Sequence, residues 1–133
     1  MPRVVRSLGE VALRVNDLAV MRDFYENVVG LEFMREFPGI VFFRLSAGYG
    51  GHTTILALFD RDAEVAPERT TLDHFAFTID IADYDGEKRR LEEAGLNVRP
   101  IVFEWVGWRS LFFADPEGNT VEFVCRDPAL TPE

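Results

Sequence analysis

The spacing of apolar and polar residues changes period several times along the chain, and the changes come twice in the same order. "EVALRV" alternates, with Val11, Leu13 and Val15 on one face and Glu10, Ala12 and Arg14 on the other, as a half-buried strand does. "NDLAVMRDFYENVVG" shifts to helical spacing, with Leu18, Met21, Phe24, Tyr25 and Val28 in one stripe. Asp17 or Asn16 is placed to cap its free amides, and Gly30 to end it. "LEFMREF", "IVFFRLS" and "HTTILALF" predict three strands, the first two joined at Pro38-Gly39. The polar stretch "RDAEVAPERT", 61–70, reads as a linker. The pattern then restarts with "LDHFAFTI" as a strand. "DYDGEKRRLEEAG" follows as a helix with a thin stripe of Tyr84, Leu91 and Ala94, and "LNVRPIVFEW", "RSLFFA" and "NTVEFVC" as strands. Asp115-Pro116-Glu117-Gly118 joins the last two: Asp opens such a turn, Pro presets φ, and Gly takes the left-handed corner.

The two passes are offset almost uniformly. Glu10 and His74 head corresponding strands 64 residues apart, and Gly30 and Gly95 close corresponding helices 65 apart. Ala57 and Glu122 match in the fourth strands, again 65 apart. The chain therefore reads as an α+β fold of two tandem βαβββ modules forming a concave mixed sheet. The first module is 1–60, the linker 61–70, the second module 71–126, and 127–133 a loose C-terminal tail. Period-two geometry puts Glu10, His74 and Glu122 on the same kind of face, opposite the apolar, helix-facing positions. A single histidine there is commonly a hydrogen-bonded structural residue, and a glutamate there is commonly just solvated. Three such residues at three of four equivalent positions favour a shared role.

Charge narrows the partners. Fourteen Lys and Arg against 23 Asp and Glu leave a net charge of −9, which repels nucleic acid and anionic membranes. "MPRVVRSLGE" lacks a signal peptide's apolar core, no apolar run is long enough to span a bilayer, and one cysteine, Cys125, suits a reducing cytoplasm. Cys125 reads as a small apolar filler, not a nucleophile.

"GEVALRVNDLAVMRDFYENVVGLEF", "LDHFAFTI" and, most specifically, "DPEGNTVEFV" resemble the vicinal oxygen chelate superfamily. It groups glyoxalase I, methylmalonyl-CoA epimerase, extradiol dioxygenases, fosfomycin-resistance enzymes and bleomycin-resistance proteins. The resemblance implies a divalent metal held at the first and fourth strands of each module, which are Glu10, Ala57, His74 and Glu122 here. Ala57 cannot coordinate, so the implied ligands are Glu10, His74 and Glu122, with open positions for water or substrate. Fe, Mn, Co, Ni and Zn all suit one imidazole and two carboxylates. The implied chemistry is that of a lyase or isomerase on a small substrate chelating the metal through neighbouring oxygens, with Glu122 or Glu10 as base. Arg14 would meet an anionic substrate group or pair with an acid inside the cup, and Trp105 or Trp108 would border the cavity. An extradiol dioxygenase fits less well, because no second histidine stands at a ligand position and His52 lies outside the matched set. The rival reading is a metal-free, bleomycin-resistance-like protein that sequesters a bulky cationic ligand against Trp105, Trp108, Phe103 and Phe112. The resemblance also implies a homodimer; the equivalent positions would converge either within one chain or across the dimer, and in the second arrangement Glu10 would meet His74 and Glu122 of the partner chain.

Overall fold

The computed structural model describes residues 5–61 and 72–130. Two compact units, Met1–Val65 and Ala66–Glu133, divide the chain. The expected linker at 61–70 lies outside the described residues except for Arg61.

In the first unit, β1 (Glu10–Val15) runs into α1 (Leu18–Asp23) through Asp17. Asp17 has extended backbone, and its Oδ1 accepts the Val20 N–H at 3.1 Å, so Asp17 is the capping residue of the two candidates. α1 continues as a π-helical stretch, Phe24–Val29, closed by Gly30 at φ 88°. That conformation suits a residue without a β-carbon. The wider π turn explains a departure from the expected stripe: Val29 is buried and Val28 only half-buried. An extra residue per turn moves the inward position one place along the chain. β2 (Glu32–Phe37), β3 (Ile40–Ala47) and β4 (Thr53–Asp60) complete a sheet of order β1-β4-β3-β2. β1 and β4 are parallel and the other pairs antiparallel, so the helix supplies the crossover that a parallel pair requires. Met21, Phe24 and Tyr25 bury their side chains on the side of Val15, Val41, Phe43, Leu56 and Leu58.

The second unit repeats this order with β5 (His74–Thr78), α2 (Tyr84–Glu93), β6 (Arg99–Phe103), β7 (Trp108–Ala114) and β8 (Thr120–Arg126). Its sheet runs β5-β8-β7-β6, with β5 and β8 parallel. The registers coincide as well. Glu10 faces Ile55 and Ala12 faces Ala57 in the first sheet, while His74 faces Thr120 and Ala76 faces Glu122 in the second. Tyr84 and Leu91 of α2 are buried, whereas Ala94 lies past the helix end and is exposed.

The turn between β7 and β8 is set by Asp115. One carboxylate oxygen accepts the N–H groups of Glu117 and Asn119 at 3.0 and 2.9 Å, and the other accepts the Asn119 side-chain amide at 2.8 Å. Gly118 takes the corner at φ 87°. After β8 the chain turns back at Asp127, whose carbonyl accepts the Leu130 N–H at 3.1 Å. The buried Asp127 carboxylate accepts from Arg109 Nε at 2.5 Å and from the Ala129 N–H at 2.9 Å. Residues 131–133 lie outside the described residues. Among the described residues no helix is long and apolar enough to cross a membrane.

Candidate functional site

Alternation sorts the side chains of the second sheet. Val121 and Phe123 of β8 are buried on the helix side, and Glu122 between them turns to the open face. β8 is an interior strand, so Glu122 has neighbours on both sides and is only 6% exposed. A carboxylate removed from water to that degree needs partners. It has two. Ser110 Oγ, on β7, donates to Glu122 Oε2 at 2.5 Å. On the other flank, Oε1 stands 3.3 Å from Nε2 of His74 on edge strand β5.

His74 is held from behind as well, its Nδ1 lying 2.6 Å from Asp73 Oδ2. An Nδ1–H donated to Asp73 leaves the Nε2 lone pair aimed at the open face beside Glu122. Phe112, directly across from Glu122 in the ladder, sets its ring centroid 5.7 Å from that of His74. The Arg99 guanidinium lies 5.8 Å from the same phenyl ring. One nitrogen and one oxygen donor thus stand side by side against an aromatic wall. Two donors each about 2.0–2.2 Å from a single divalent ion, in adjacent octahedral or tetrahedral positions, are separated by about 2.8–3.6 Å. The His74–Glu122 spacing fits adjacent corners of such a shell.

The equivalent face of the first sheet is different. Glu10 at the head of β1 is exposed, and Ala57, which takes the place corresponding to Glu122, is completely buried beside Ala12. Of the three candidate metal ligands that the family resemblance implies, the structure brings His74 and Glu122 together, and Glu10 belongs to the other unit. Among the described residues no three His, Cys, Asp or Glu side chains gather around one point as a metal cluster. Arg14 shares the face of Glu10. Its guanidinium lies 5.8 Å from the Phe59 ring and Nη1 donates to the Asp60 carbonyl at 3.3 Å.

His52 fills a space that Gly9 leaves open. A β-carbon on Gly9 would come 3.1 Å from His52 Cε1, and strand alternation puts that space on the side of β1 opposite the Glu10 side chain. Trp105, in the turn Glu104–Gly107, is 63% exposed, and Trp108, which opens β7 on the same face as Ser110, is 44% exposed.

Sequence reasoning missed Ser110 and Asp73. Ser110 left one readable signal, being the one hydroxyl in "RSLFFA". Counting back from the Asp115 turn puts it opposite Val124, one face position from Glu122. Asp73 left none, because a polar residue at the mouth of a strand is ordinary.

A family model described as Glyoxalase/Bleomycin resistance protein/Dioxygenase superfamily matches residues 7–123. The chain belongs to that superfamily. Within it, the chain is 32% identical over 118 residues to the lactoylglutathione lyase of Neisseria meningitidis serogroup A, covering 84% of this chain and 85% of that protein. It is 24% identical to the glutathione transferase FosA of Serratia marcescens, over 90% of this chain and 80% of that one. The solved structure of a glyoxalase/dioxygenase from Nostoc punctiforme superposes with a TM-score of 0.77 at 26% identity, covering 96% of this chain and 95% of the other. The superfamily's βαβββ repeat is thus the fold seen in both units.

Proposed function

We propose that this superfamily member is a divalent-metal-dependent lyase or isomerase whose small substrate chelates the metal through neighbouring oxygens. The observation that carries the reading is the His74 Nε2–Glu122 Oε1 pair, 3.3 Å apart on the open face with Ser110 and Asp73 behind it. Glu10 is the third ligand, and substrate or water completes the shell. The 32% identity to a lactoylglutathione lyase makes glutathione hemithioacetals the first substrates to assay. A bound divalent ion supplies charge that stabilises developing negative charge on the substrate oxygens. The chain's own contribution is a carboxylate within reach of the acidified C–H. Glu122, tied through one oxygen, and the freer Glu10 are the two bases on offer. Arg14 receives an anionic substrate group, and Trp105 and Trp108 border its apolar part. The working species is a homodimer in which Glu10 meets His74 and Glu122 of the other copy.

Elemental analysis of protein purified without chelator tests the ligand set. The wild type retains metal, and Glu10→Ala, His74→Ala and Glu122→Ala each lose it along with hemithioacetal turnover. Equal metal content in all four proteins overturns the assignment.

The exposed Trp105 and Trp108, together with the net charge of −9, support a second reading. In it the protein binds a bulky cationic ligand by stacking and charge and leaves it unchanged. Retention of unaltered bleomycin in the presence of EDTA is its expected signature, whereas turnover restored by added metal selects the first reading.

A further inference from the structure

Ser110 is built into the second sheet with more restraint than a buried serine needs. It is fully buried. Its hydroxyl donates to Glu122 Oε2 at 2.5 Å, and from the helix side the Tyr84 hydroxyl donates to its backbone carbonyl at 3.1 Å. Ser110 is therefore held at both its side chain and its backbone, and its hydroxyl donates one hydrogen bond to one oxygen of a buried carboxylate. The other oxygen is left facing His74 Nε2.

The first unit provides an internal control. Ser110 pairs with Val124, two residues beyond Glu122. The matching place across from Phe59, two residues beyond Ala57, is held by Ile40. Where the module has no carboxylate it has no hydroxyl either.

We infer that Ser110 is a positioning residue that restricts Glu122 to donation through Oε1 alone, presented to the same divalent ion as His74. The inference rests on the metal-binding reading above and deepens it. Occupying Oε2 prevents the carboxylate from chelating through both oxygens and keeps a coordination place for a second substrate oxygen. Groups that orient a metal ligand from behind are typically worth about 10–100-fold in metal affinity.

The test is titration of metal-free protein with Co2+, followed by calorimetry and by the visible absorption of the bound ion, in wild type, Ser110→Ala, Glu122→Gln and the double variant. Thermal unfolding of the metal-free proteins checks that each is folded. Ser110→Ala is expected to weaken Co2+ binding by about 10-fold and to lower the visible absorption intensity as Oε2 joins the shell. In the Glu122→Gln background, the same serine change is expected to have little further effect, because Ser110 acts through that carboxylate. Wild-type affinity and spectrum in Ser110→Ala overturn the inference while leaving the metal reading intact, and so does an equal loss in both backgrounds. A wild type that takes up no Co2+ overturns the metal reading itself, and the inference with it.

Discussion

Glu122 shows how far one buried side chain depends on its neighbours. Its position on the open face followed from alternation alone, but its partners lie on two other strands. Cys125 is the opposite case, a buried residue without chemistry. Burial raises its thiol above the ordinary range, and Sγ rests 3.6 Å from the Arg109 carbonyl, so it stays a protonated thiol near neutrality. Native protein at pH 7.5 is accordingly expected to leave Cys125 unmodified by a disulfide reagent over a time that modifies it fully in guanidinium. Fast labelling of the native protein contradicts this. Asp127 is held below its ordinary value by the hydrogen bond from Arg109. A carboxylate depressed in the folded state contributes stability that is present above its unfolded value of about 3.9, and that is lost as pH falls through the lower folded value. The thermal midpoint of wild type is expected to exceed that of Asp127→Asn at pH 6, with the gap closing below about pH 4. A constant gap across that range counts against the Arg109–Asp127 pair as its cause.

The strands and helices were largely readable from periodicity, because side-chain direction in a strand or helix follows from local backbone geometry. The exceptions have local causes. Val29 points inward because the end of the first helix widens into a π turn. Ala94 fell out of the α2 stripe because the helix ends before it. Capping was also readable, though only the folded chain chose Asp17 over Asn16. Asp17→Ala removes the acceptor for the Val20 N–H and is expected to cost about 1 kcal/mol in chemical denaturation. A loss close to zero shows that a neighbouring group takes over the cap.

For the whole molecule, duplication is the dominant fact. Both units have the same strand order and the same register between their first and fourth strands. Yet the ligand-type residues at equivalent places are unequal, with Ala57 against Glu122 and Glu10 against His74. If the proposed homodimer shares its sites, refolding a 1:1 mixture of Glu10→Ala and Glu122→Ala chains gives mixed dimers with one intact site each. About a quarter of the wild-type metal sites are then expected to return. A mixture that binds no more metal than either variant alone places each site within one chain.

Covalent geometry is local, and what depends on it alone could be read from the order of residues. The alternation of faces, the repeat, the Asp115 turn and the shared parity of Glu10, His74 and Glu122 are of this kind. Distances between strands are not local. They follow from which residue faces which across a ladder, and that is settled when turns close and cores pack. Folding therefore had to supply the 3.3 Å between His74 and Glu122, along with the placing of Ser110 and Asp73 behind them.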